Sequence, residues 1–233
     1  MDARDVSNKA EFLDFFRQLK ANVERAAQRK GETPQDHPLP QVQIEKFMMS
    51  RLEKKLQFDL SSSAEGKDVI LRSSHIPAPY APSVRPVHDL QPLMISNMQL
   101  ETHHRGKKVL IHVMTPPDRL TAVMAIAEDE EGTAVLLQLY NQPEEDEVHE
   151  STILDEHDIF IIKEPYFKVA TSGQYSLRVD HVSDIIRLGD DDERIPRKWR
   201  QYRSSRRQAD SQQLRSEGNL AVKRKNWDVA ERL

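Results

Sequence analysis

The chain reads as an α+β protein with helical ends and a small β domain between them. Three observations predict this. Apolar residues recur at three- and four-residue steps through residues 8–60 and again near the C-terminus, the period of a helix. Short apolar runs separated by Gly, Pro and acidic loops fill residues 93–188, as strands do. Between the two lies a window with Pro77, Pro79, Pro82, Pro86 and Pro92, which favours extended backbone and prevents helix.

Residues 1–60 are expected to form a helical segment. Phe12, Phe15, Phe16, Leu19, Val23 and Ala26 make one stripe over residues 8–30, with Asn8 and Glu11 spaced as a capping box. Gly31 to Pro34 ends that helix. Pro38-Leu-Pro40 opens a second, over about residues 41–60, with Ile44, Phe47, Met48, Leu52 and Leu56 as its stripe. The two are expected to pair as an antiparallel hairpin. Residues 61–92 read as a proline-rich linker, a spacer in preference to a ligand for an aromatic groove.

Residues 93–188 carry the strands. Val109–Met114 is a compact β run, and two more, 120–127 and 134–140, flank Glu128-Asp-Glu-Glu-Gly132 as a hairpin. A polar connection, Asn141 to Asp158, has room for a short helix near Ile153-Leu154. Ile159–Ile162, an interruption at Glu164-Pro165, and Tyr166–Val169 follow; Tyr175, Leu177 and Val179 then alternate onto one face. Five or six short antiparallel strands with the longest connection between the third and fourth suit a small OB-like barrel. A small open sheet with one covering helix is the alternative.

Residues 189–210 read as a charged linker. Asp190–Glu193 is acidic, and Arg194–Arg207 is basic with Trp199 and Tyr202 interleaved. A linker helix, a nuclear-import patch, or a single-stranded nucleic-acid contact would each use such a segment. In the last case Arg197, Lys198, Arg200 and Arg203 would meet phosphates, and Trp199 and Tyr202 would stack on bases. Residues 211–233 match the start of a tetratricopeptide repeat, a helical hairpin of about 34 residues. Leu214, Gly218 and Ala221 lie at the spacing of its first helix, Asn226-Trp227-Asp228 reads as its turn, and Ala230 as the small residue of its second helix. Such repeats need neighbours to bury their apolar faces, so the sequence is expected to be the front of a longer protein.

Composition narrows the chemistry. There are 34 basic and 38 acidic residues, a net charge of −4, and hence no global bias toward nucleic acid or membrane. No cysteine is present, so disulfides, thiolate metal sites and cysteine nucleophiles are excluded. The start of the chain lacks the apolar run of a signal peptide, and no stretch approaches the length of a membrane span; a nuclear or cytoplasmic, non-secreted protein is expected. His103-His104, His112, His149 and His157 show no metal-ligand spacing. Acidic runs at 128–131, 144–147 and 190–193 read as solvated charge. No glycine-rich phosphate loop or GxSxG elbow occurs. No catalytic residue, cofactor site or metal site is assigned.

Six stretches carry a family resemblance: Leu100–Gly106, Leu120–Met124, Glu128–Gly132, Leu137–Asn141, Ile162–Tyr166 and Leu177–Asp184. Together with the repeat start, they resemble the N-terminal region of fungal TPR–SET proteins, over residues 75–233. The resemblance implies a non-catalytic, protein-interaction region, placed ahead of repeats and of a SET domain that transfers a methyl group from S-adenosylmethionine to protein lysine. That cofactor would be bound only where a SET domain follows. It also implies that Arg215 and Asn219, one helical turn apart, help hold a partner's C-terminal carboxylate; an exposed arginine beside a packing asparagine is the plainer alternative.

Overall fold

The structure, a computed structural model, describes Arg17 and residues 20–22, 24–62, 78–145, 147–170 and 172–200. It divides into two units, Met1–Leu188 and Gly189–Leu233. The first is a mixed α+β unit built on one large sheet.

Among the described residues ten strands form that sheet: β1 Gln91–Pro92, β2 Thr102–His103, β3 Lys107–Val113, β4 Asp118–Arg119, β5 Val123–Asp129, β6 Ala134–Leu139, β7 Ile159–Lys163, β8 Tyr166–Val169, β9 Tyr175–Val179 and β10 Ile185–Arg187. β3 pairs β5, β5 pairs β6, β6 pairs β9 and β9 pairs β8. β8 continues from β7 across Glu164-Pro165, and β7 pairs β3 again, so the circuit of strands closes on itself. β10, β2, β1 and β4 add short pairings outside it. The β6–β9 and β1–β3 pairings are parallel, where the sequence pattern predicted antiparallel strands throughout. The first follows from the long connection through β7 and β8, which returns the chain in its original direction.

Period-two alternation explains the core. Val109, Ile111 and Val113 of β3, Val123, Ala125 and Ala127 of β5, Val135, Leu137 and Leu139 of β6, and Leu177 and Val179 of β9 share one buried cluster. The residues between them face outward. Closure depends on a bend between β7 and β8. Glu164 takes a positive φ of 45°, and its buried carboxylate accepts hydrogen bonds from Arg105 Nη1 and the Gly106 N–H, both at 2.8 Å. Those two bonds compensate burial of the charge and hold the long strand at the angle that lets it serve two neighbours. Gly106 has φ +76°, and a Cβ there would lie 3.0 Å from Arg85 Nη1, so this turn requires glycine.

Helix α1, Pro40–Ser62, lies against the sheet. Phe47 is buried in a second cluster with Ile126, Ala134, Leu136 and Ala170, flanked by Ile44. Gln43 Nε2 donates to the Ala134 carbonyl at 2.6 Å, and Lys54 pairs with Asp118. The predicted stripe is thus only partly buried: Met48, Leu52 and Leu56 are exposed, because Gln43 and Lys54 fix the helix with Phe47 inward. Residues 17, 20–22 and 24–28 are helical; of the helix expected over residues 8–30 to pair with α1, residues 8–16, 18, 19 and 23 lie outside the described residues. Helix α2, Glu150–Ile153, occupies the long connection, where a short helix was expected. Among the described residues no helix is long and apolar enough to cross a membrane.

Two expectations are corrected. The proline-rich segment is no spacer over residues 78–92: Ser83 and Leu90 are buried and Gln91–Pro92 pairs with β3. The acidic hairpin loop is not wholly solvated either. Asp129 is fully buried and accepts from the backbone N–H groups of Ile95, Glu131 and Thr133 at 2.7, 3.0 and 3.0 Å, tying the hairpin to the segment before β2.

Candidate interaction surfaces

Two outer surfaces of the closed sheet are each covered by another segment of the chain. The first is the face of β5 and β6. Its outward residues Ile126, Ala134 and Leu136 are apolar because α1 covers them; an exposed strand face would alternate to polar.

The second surface lies along β9, β10 and the turn between them, and holds residues 78–83. Arg178 forms a two-pronged pair with Asp180, Nε to Oδ1 at 2.7 Å and Nη2 to Oδ2 at 2.8 Å. Both residues are buried, and such a bidentate pair fixes both side chains in place. Asp180 Oδ2 accepts from the Tyr80 N–H at 3.1 Å, and Asp184 Oδ1 accepts from the Ser83 N–H at 2.9 Å. Arg178 donates to the Ala78 carbonyl at 3.3 Å, Arg105 to Ala81 at 2.9 Å, and Lys163 to Ser83 at 3.2 Å. His181 Nε2 donates to the Tyr80 carbonyl.

The Tyr80 ring is the anchor of this segment. It packs edge-on against His103 and His181, with ring centroids 4.4 and 5.5 Å away, and lies 6.4 Å from Tyr166. Its hydroxyl accepts from the Asp180 N–H at 3.1 Å. Burial raises the Tyr80 phenol and lowers the His103 imidazole, the latter helped by Arg105, so both rings are neutral at pH 7. Tyr166 is pushed up to about 12 by burial and by Glu101, whose carboxylate its hydroxyl meets at 3.1 Å. Lys168 is lowered by burial and by Arg178. With Arg178, Asp180, His181 and Asp184, which hydrogen-bond the backbone of residues 78–83, these groups form a desolvated polar belt.

The residues singled out from sequence fall elsewhere. In the second unit, Arg197 and Lys198 are exposed, and Lys198 Nζ lies 5.3 Å from the centroid of the Trp199 ring. Trp199 is only 3% exposed, which leaves no open face for a base. Arg200 donates to the carbonyls of Ile195, Asp192 and Glu193 at 2.8, 3.0 and 2.7 Å. Asp192 is held down at about 2 by Arg194. Tyr202, Arg203, Arg215 and Asn219 lie outside the described residues, as does the repeat start. Among the described residues no cluster of three or more His, Asp or Glu could hold a metal ion. Sequence reasoning missed Arg105, Arg178, Asp180, His181 and Asp184. The available signal was charge in the Arg178-Val-Asp-His181 run, which directly follows an alternating strand.

A Gibberella zeae (strain PH-1) protein named "Methyltransferase" is 44% identical over all 233 residues, and the chain spans 29% of that protein's length. No family model matches. Among solved structures, the OB domain of Ta0387 from Thermoplasma acidophilum aligns with a TM-score of 0.33 and 13% identity, over 46% of this chain and 95% of that one.

Proposed function

We propose that this chain is a non-catalytic protein-interaction region of a longer protein-lysine methyltransferase of the TPR–SET type. The observation that carries this is the match to the Gibberella zeae "Methyltransferase" at 44% identity, which runs the whole length of the chain yet spans 29% of that protein. The remainder of such a protein would supply S-adenosylmethionine binding and methyl transfer. The 233 residues here would supply docking surfaces, with Arg215 and Asn219 contributing to a clamp for a partner's C-terminal carboxylate.

We further read the closed circuit β3-β5-β6-β9-β8/β7 as an OB-type barrel. Its support is the pairing scheme: three consecutive antiparallel strands, a helix-bearing connection, a bent fourth strand, and a fifth parallel to the third. OB barrels take oligonucleotides on the face of their second and third strands. Here those are β5 and β6, and α1 occupies that face. That placement, the buried Trp199 and the committed Arg200 favour protein docking over the nucleic-acid alternative.

The test is to delete the matching segment from the Gibberella zeae protein and follow methyl transfer from radiolabelled S-adenosylmethionine. The expected result is retained cofactor binding with lost or misdirected transfer to protein substrate, and no transfer by the isolated 233 residues. Transfer by the isolated chain would overturn a non-catalytic role.

A further inference from the structure

We infer that the polar belt holding residues 78–83 is an exchangeable site for an extended, proline-punctuated peptide, in which the chain's own segment is the resident occupant. The contacts are of the kind a peptide-recognition site uses. Two backbone N–H groups, of Tyr80 and Ser83, and four carbonyls, of Ala78, Tyr80, Ala81 and Ser83, are taken by barrel side chains. Main-chain recognition of this kind is largely indifferent to sequence, and specificity falls to the few inserted side chains.

Only Tyr80 and Ser83 insert; Ala78, Pro79, Ala81 and Pro82 are exposed. The three-residue step between the inserted residues is the repeat of polyproline II, which has about three residues per turn. Each inserted residue directly follows a proline, so the N–H groups that proline removes are ones the site does not ask for. The ligand class is therefore a peptide of the form Pro-Tyr-x-Pro-Ser in extended conformation.

An independent observation points the same way. Asp184 Oδ2 and His103 Nε2 are buried at this site without a hydrogen-bond partner. Asp184 is fully buried, and a buried acceptor left unmade is unfavourable. The resident segment thus satisfies the belt incompletely.

The resident segment competes from the same chain, at an effective concentration on the order of millimolar. A peptide in trans binds the intact protein weakly, in proportion to the fraction with its own segment released. The experiment uses the full chain, a Tyr80→Ala variant, and a fluorescein-labelled peptide with the sequence of residues 77–86, followed by anisotropy. The expected result is binding at least tenfold tighter to the folded variant than to wild type, abolished when the peptide's tyrosine is alanine. A folded Y80A chain that binds no peptide overturns the proposal. Should Y80A fail to fold, amide exchange in the wild type decides. Millimolar peptide, compared with a scrambled control, should speed exchange at Tyr80 and Ser83 several-fold; no change overturns the proposal.

Discussion

Phe47→Ala isolates the contact that closes the β5–β6 face. The Phe47 ring is 8% exposed and packs against Ile126, Ala134, Leu136 and Ala170. Truncating a buried phenylalanine costs about 3–5 kcal/mol in a core. We take about 3, the lower end, because the site lies between one helix and one sheet face and can partly collapse. At about 1.4 kcal/mol per decade, the population with α1 undocked rises roughly 100-fold. The remaining holds, Gln43 to Ala134 and Lys54 to Asp118, are polar and individually weaker. Trypsin reads the change directly, since cleavage from a rapidly opening state follows its population. Cleavage after Lys46, Arg51, Lys54 or Lys55 should rise by about that factor, while the main thermal transition of the barrel core moves by no more than about 2 °C. A single cooperative loss, with the barrel melting many degrees lower and no selective cleavage in α1, would refute the view of α1 as a separately docked cover.

Three further outcomes follow from particular contacts. Asp129→Ala strands the N–H groups of Ile95, Glu131 and Thr133 and should lower stability by about 3 kcal/mol or more, read as the urea midpoint; Asp129→Asn, which keeps one carbonyl oxygen, should lose less. Gly106→Ala forces an L side chain into φ +76° beside Arg85, at about 1–2 kcal/mol, or a melting point about 3–6 °C lower. His37 lies between Phe167 and Tyr175, with both ring nitrogens buried and unpaired, and burial lowers its pKa against the opposing pull of Asp36 and Asp129. The unfolded chain therefore takes up this proton first, so the stability that His37 contributes is whole above about pH 6.5 and declines as pH falls below it. His37→Phe should melt with a shallower pH dependence than wild type between pH 7 and 5.

Legibility differed by element, for physical reasons. Strands β3, β5, β6, β7 and β9 were readable because they enclose one apolar core, so alternation is imposed on them. The docking of α1 was not readable, because its inward face holds Gln43 and Lys54 while Leu52 and Leu56 stay outside; a hydrophobic stripe cannot report a contact steered by an amide and an ion pair. The segment 78–83 was misread for a related reason. Prolines in sequence signal extended backbone, and whether that backbone is free or held depends on partners a hundred residues away, such as Asp180 and Asp184. Asp129 was lost among its acidic neighbours, since a run of carboxylates gives no sign of which one turns inward.

Both outer surfaces of the barrel illustrate one arrangement. The face of β5 and β6 and the belt along β9 each meet a segment drawn from residues N-terminal to the strands, one helical and one extended. The two are held by different means. α1 depends on an apolar ring with polar steering, and its release would expose Ile126 and Leu136, a surface suited to another amphipathic helix. Residues 78–83 depend on charged side chains reaching backbone, and their release would expose buried carboxylates and guanidinium groups, a surface suited to another extended peptide. Sulfate separates the two: it strengthens apolar burial, whereas the contacts of Arg178, Asp180 and Asp184 to backbone are buried and little altered by screening. High sulfate should therefore protect α1 from trypsin more than it protects the Tyr80 and Ser83 amides from exchange. Equal protection would mean that the two segments open together, as one cooperative layer over the barrel.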